Sequence, residues 1–170
     1  RPMNNLTPQT VRAAAAAFAL TLVHGIAMAE PGVTDSQIVL GSVTPVSGPP
    51  SLLGKAHVAA LKVWQEDVNS RGGINGRKVS CIAEDSGYDR KKGLLAAQKM
   101  VQQDKLFAMA GTIGTAVSMA TMPILFEKNI PHVFPLTGAR EMYDPLHKLK
   151  FSFAAPYYDQ IRIGVKWMAK

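Results

Sequence analysis

Between residues 36 and 155 short apolar runs alternate with longer segments of helical periodicity, and this alternation limits the fold more than any other feature of the chain. The first run, residues 36–43, stops at the proline- and glycine-rich loop 44–50. Over residues 51–70, Leu53, His57, Ala60, Leu61, Trp64 and Val68 recur at the spacing of a helix that lays one stripe on a sheet. A glycine-rich turn at 71–77 leads to a second strand at 78–83. Asp89 is placed to cap a helix reaching about residue 103, with Leu94, Ala97 and Val101 facing inward. The run at 106–110 is continuously apolar, as in a parallel strand covered on both faces. After a turn at 112–114 a third helix runs to about 129, and Pro123 is expected to kink or restart it. Strands at 130–135 and 151–155 flank a short irregular piece at 139–143, and an amphipathic helix begins near 159.

Five βα units in this length predict an α/β fold: a doubly wound open parallel sheet, because parallel neighbours require right-handed helical crossovers. Ligands of such sheets bind at the carboxyl ends of the strands, near the point where strand order reverses. Those ends are the loops around 47–53, 84–89, 111–115 and 136–138.

Ahead of this pattern Arg12 precedes the apolar run 13–23 and then Ala27-Met28-Ala29. A basic residue, a short apolar core and an A-x-A site predict a secretory signal peptide over residues 1–29, with Met3 as the start and cleavage before Glu30. The core is shorter than the roughly 20 residues that span a bilayer, and no cysteine follows the site to carry a lipid. A free exported protein that begins at Glu30 is therefore expected. The last periodic segment has no cap or turn after it, so a fragment is expected.

The chemistry available to the loops is narrow. Nineteen Lys and Arg against twelve Asp and Glu leave a net charge of +7, yet the basic residues are dispersed, and the Arg90-Lys91-Lys92 run suits a solvated helix face better than a phosphate track. No nucleic-acid partner is implied. The single cysteine, Cys81, lies in an apolar strand and reads as packing, and one thiol excludes an internal disulfide framework. His57, His132 and His147 show no metal-binding spacing, so neither a metal nor a cofactor is implied, and no G-x-S-x-G elbow points to a hydrolase. Glu84 and Asp85 end a strand, where capping and turn bonding are their ordinary use. Gly111-Thr112-Ile113-Gly114-Thr115 is the most informative loop. Its spacing fits neither dinucleotide nor P-loop patterns, but its glycines and hydroxyls at a helix start suit a carboxylate or carbonyl, or simply a strand-to-helix turn.

Ile38-Val39-Leu40-Gly41, Ser47-Gly48-Pro49, Gly54 and above all Asn69-Ser70-Arg71-Gly72-Gly73-Ile74-Asn75-Gly76 resemble the amino-terminal lobe of periplasmic substrate-binding proteins of branched-chain amino acid type ABC transporters. The likeness continues through Glu84-Asp85, the 111–115 loop, Asn129-Ile130-Pro131 and Pro135-Leu136-Thr137-Gly138-Ala139. It implies a periplasmic type I binding protein whose two lobes close on a small carboxylate-bearing ligand, an amino acid or related organic acid, and present it to a membrane permease, with residues 30–155 as the amino-terminal ligand-binding lobe and 156–170 as the start of the crossover. The resemblance carries the carboxylate contacts to Thr115 with the backbone of Gly114, helped by Thr112, and to Leu136, Thr137 and Gly138. It places Leu53 against the ligand's apolar part, Ser47 and Gly48 in the first loop, and Tyr157 beside the crossover. No catalytic residue is implied. Two competitors stand beside this reading: a sensory domain of the same fold, and a small α/β enzyme using His57 and Cys81.

Overall fold

A computed structural model describes residues 30–169, so the expected signal segment lies outside the described residues. Five strands form one sheet: β1 (Gln37–Thr44), β2 (Lys78–Asp85), β3 (Ala108–Ala110), β4 (His132–Val133) and β5 (Lys150–Phe151). Their spatial order is β2-β1-β3-β4-β5 and every pairing is parallel. The β1–β2 register is long, from Gln37 beside Lys78 to Thr44 beside Asp85. The remaining pairings each join only two residue pairs, Leu40 to Ala108 and Gly41 to Met109 in the case of β1 and β3. The doubly wound sheet expected from the alternation is therefore present, with strands three to five shorter than their apolar runs.

The chain leaves β1 toward one edge and returns past it to β3, so right-handed crossovers put the first helix on one face and the next two on the other. Helix α1 (Ser51–Ser70) packs on β2. Helices α2 (Arg90–Lys99, continued by a π-helical turn at Met100–Asp104) and α3 (Thr115–Glu127) pack on each other. The core lies on that second face, where Val43, Ala97, Met100, Val101, Leu106, Met109, Val117 and Leu125 form one buried cluster. Ala97 and Val101 thus face inward as their spacing predicts. The Asp89 cap is also present, its Oδ1 accepting the Lys92 N–H at 2.8 Å.

Two expectations are corrected. The α1 stripe is only half covered: Gly54 is buried and His57, Leu61 and Val68 are half-buried, but Leu53, Ala60 and Trp64 are exposed. Its helix rests on the edge strand, and a stripe that wide finds sheet under only one side. Of the two outcomes expected at Pro123 the restart does not occur, since α3 continues through it from Thr115 to Glu127. The ring is exposed, so the carbonyl left without a partner one turn back lies on the solvent side. The last helix, α4 (Tyr157–Met168), buries none of its side chains.

Candidate functional site

The four loops at the carboxyl ends of the strands are cross-tied in pairs. After β1, the Val46 and Ser47 N–H groups donate to Asp85 Oδ1 at 2.8 and 3.2 Å, and the Ser47 hydroxyl donates to Oδ2 at 2.5 Å. Gly87 N–H adds a third backbone donor to Oδ1 at 2.8 Å. The Ser47 hydroxyl above all, against the opposing effect of burial and with the help of the Gly87, Val46 and Ser47 N–H groups, holds the Asp85 carboxyl down at a pKa of about 2. Asp85 ends β2 beside Thr44, the last residue of β1, so strand register delivers the carboxylate to the neighbouring loop. Ser47 and Gly48 are exposed on this loop, with the Ser47 hydroxyl already engaged.

The second pair joins the loops after β3 and β4. Ile113 bridges to Leu136 in parallel, and Leu136 N–H donates to the Thr112 carbonyl at 2.8 Å. This aligns Thr115, first residue of α3, with Thr137, and their hydroxyl oxygens stand 2.6 Å apart. Ala139 N–H donates to Thr137 Oγ1 at 3.2 Å, and Tyr157 N–H donates to the Gly138 carbonyl at 2.8 Å. The Tyr157 ring lies on Gly138, where an added Cβ would stand 2.8 Å from Cδ1. Its phenol is lowered below the ordinary value by the Thr137 hydroxyl, then by the Gly138 N–H and the Thr115 hydroxyl. Thr115, Thr137, Gly138 and Tyr157 thus converge from three segments.

Gly114 precedes α3 with φ +105 and supplies no side-chain cap, so the free N–H groups of the first turn have no side-chain acceptor from the N-cap position. A Cβ at Gly114 would stand 2.8 Å from the Tyr88 ring, itself an exposed residue of the β2–α2 loop. Thr112 is different: it is fully buried and its hydroxyl has no hydrogen-bond partner. Leu53, in the first turn of α1, and Leu136, next to Thr137, are 48% and 39% exposed.

Two grooves flank this cluster. One, about 260 Å³, is bounded by His57 and Leu61 of α1, Gly111, Leu136, and the edge-to-face pair Phe134 and Phe153. His57 presses against Gly111, and its Nε2 is 3.0 Å from Ser42 Oγ. Burial lowers its pKa below the ordinary histidine value. The other groove, about 520 Å³, is walled by Gly138, Tyr143 and the first residues of α4. Sequence reasoning missed Tyr88 and Tyr143, because lone aromatics in irregular segments carry no periodic signal. Cys81 is half-buried, burial raises its pKa away from the thiolate, and His57 is bonded to Ser42. Among the described residues no cluster of three or more His, Cys, Asp or Glu is placed to hold a metal ion, and no helix is long and apolar enough to cross a membrane.

A family model described as periplasmic binding protein matches residues 37–170, the whole of this architecture. The chain belongs to that family. Among periplasmic binding proteins it is 26% identical over 115 residues to a Leu/Ile/Val-binding protein homolog 7 of Brucella suis, an alignment covering 68% of this chain and 28% of the relative. A substrate-binding periplasmic protein from Ralstonia solanacearum superposes with a TM-score of 0.70 at 29% identity, over 79% of this chain and 38% of that one. A fatty acid ABC transporter substrate-binding protein from Thermomonospora curvata gives a TM-score of 0.67 at 27% identity, over 81% and 34% respectively. The chain spans about a third of the length of the curated relatives it matches.

Proposed function

We propose that this periplasmic binding protein chain is the amino-terminal lobe of an extracytoplasmic receptor that captures a small carboxylate-bearing ligand, an amino acid or related organic acid, for a membrane ABC permease. One observation carries the reading: the Thr115 and Thr137 hydroxyls meet at a helix start whose N-cap is glycine. One proton of the pair is used in their mutual bond and Thr137 is buried, so the donors offered to an anion are the remaining hydroxyl proton and the free N–H groups of the helix start, where the helix dipole favours the same sign. Gly114 is covered by the Tyr88 ring, Gly138 and Tyr157 close one side, and Leu53 and Leu136 are the apolar contacts of this proposal. Ser47 and Gly48 form the opposite rim, and Thr112 supports the loop from beneath. The name of the Thermomonospora neighbour supports transport, and the Brucella and Thermomonospora names together span Leu/Ile/Val and fatty acid, so the shared element is the carboxylate. No catalytic role is assigned. Residues 1–29 serve as the export signal in this proposal, and intact mass of the exported chain, beginning at Glu30, tests that part.

The site is tested by titrating the ¹⁵N-labelled chain with acetate, L-leucine and glucose, because NMR shifts register the weak binding expected of a single lobe. The carboxylates should move the amides of residues 114–116 and 136–139, glucose should not, and Thr115→Val should weaken the response about tenfold. Carboxylate shifts centred elsewhere, or a Thr115→Val chain that responds like the parent, refute the assignment.

A further inference from the structure

Helix α1 turns one side to the sheet and leaves the opposite side bare. Leu52, Ala56, Ala59, Ala60 and Val63 are all exposed and recur at intervals of three and four residues, so they form one apolar stripe along the outer face of the helix. Trp64, 41% exposed, borders one edge of the stripe. The other edge carries charge. Lys55 and Glu66 are eleven residues apart, about three full turns, so they stand in line along that edge toward its two ends. Both are exposed, and neither has an ion-pair partner among the described residues. Lys62 lies farther round the helix, one turn before Glu66, and Asp67 is already paired with Arg71.

This pattern is complementary to itself when its direction is reversed. Ala59 and Ala60 lie in the middle, and Lys55 and Glu66 each stand between one and two turns from them, on opposite sides. Two such helices crossing antiparallel at the alanines bring Lys55 of each copy against Glu66 of the other, so the opposite-charge contact is made twice. The same arrangement packs Val63 of each copy on Ala56 of the other, and the small side chains at the crossing let the axes come close. A parallel pair would instead set Lys55 against Lys55 and Glu66 against Glu66. We propose that the outer face of α1 is the contact surface for a second copy of this chain, paired antiparallel about a twofold axis at Ala59 and Ala60. A single helix pair is smaller than a standard interface, so the dimer is weak and reversible, and its charges fix its orientation.

Sedimentation equilibrium of the chain between about 10 µM and 1 mM should show a monomer–dimer equilibrium. Lys55→Glu and Glu66→Lys each set like charges against one another at both ends of the pair, and each should weaken self-association about tenfold. The double variant exchanges the two signs and should return to within about threefold of the parent. The deciding sample is an equimolar mixture of the two single variants. One carries acid at both positions and the other base at both, so their heterodimer regains both opposite-charge contacts and should form more tightly than either variant does with itself. A variant weakened by misfolding would gain nothing from the other. Ile161→Lys, on the exposed α4, should leave the equilibrium unchanged. A chain that stays monomeric at 1 mM overturns the proposal. So does association that grows beyond dimers, that survives both single reversals, that the mixture fails to restore, or that Ile161→Lys abolishes.

Discussion

Asp85→Asn isolates the charge of one carboxylate from its shape, and its effect can be worked from the hydrogen bonds. Asn retains an oxygen for the Val46, Ser47 and Gly87 N–H groups, but the negative charge that strengthens all four bonds is gone. The carboxyl pKa falls from 3.8 to about 2 on folding. At about 1.4 kcal/mol per unit that shift corresponds to roughly 2.5 kcal/mol, and partial exposure of Asp85 to solvent reduces the expected share to about 1–2 kcal/mol. The sign follows from linkage: a depressed carboxyl pKa means that the unfolded chain takes up the proton first. The contribution is complete above pH 3.8 and is lost as pH falls through about 2. Urea denaturation of the parent and Asp85→Asn chains at pH 7 and at pH 2 measures it. The variant should be less stable by about 1–2 kcal/mol at pH 7, and the difference should shrink toward zero at pH 2. A difference equal at both values refutes the charge-based account, and no difference at pH 7 refutes the cross-tie.

His132 is 1% exposed, and burial pushes its pKa down to about 4, so the unfolded chain binds its proton first and stability should fall between pH 6.5 and 4, by about 3 kcal/mol if fully expressed. A His132→Gln chain should show a flatter pH profile across that window in thermal melts; an unchanged slope contradicts the assignment. Gly54→Ala should destabilise by more than about 2 kcal/mol, because its Cβ would overlap the Pro45 carbonyl and force α1 off the β1–α1 loop; a melting temperature within a degree of the parent's would show that the loop yields. Cys81, half-buried with its pKa raised, should react with iodoacetamide in the folded chain at a small fraction of the denatured rate at neutral pH. Equal rates would mean that β2 is open.

The alternation of strands and helices was legible because each element carries its own period, and 51–70 and the Asp89 cap lie where period and capping chemistry put them. What periodicity overstated was cover. Leu53 and Trp64 have the spacing of buried residues yet remain exposed, because spacing records which side chains share a stripe and says nothing of how wide a surface lies opposite. The site was legible only residue by residue. Thr115 and Thr137 are 22 positions apart and Tyr157 another 20 beyond, and no local rule brings them together. The resemblance named them, whereas the bridge from Ile113 to Leu136 supplies the physical cause of their meeting. Ser47 and Asp85 were each visible as loop residues, but their bond depends on the eight-pair register of β1 with β2, which no single segment encodes.

The two cross-ties stand on opposite sides of the reversal in strand order. Asp85 joins the loops after β1 and β2; Thr115 and Thr137 join those after β3 and β4. Helices leave the sheet in opposite directions at this point, so the crevice exists because no helix covers it, and its rim would be four free loops without such ties. Beyond the β1–β3 ladder that spans the reversal, the Ile113 N–H donates to the Val43 carbonyl at 3.2 Å, linking the two tied halves at their base. A rim fixed in this way is ordered before any ligand arrives, and the entropy of ordering the loops is not charged against binding. It follows that Asp85→Asn should weaken carboxylate binding even though Asp85 lies on the far pair of loops, and should do so with the Thr115 and Thr137 amide shifts of the free chain unchanged.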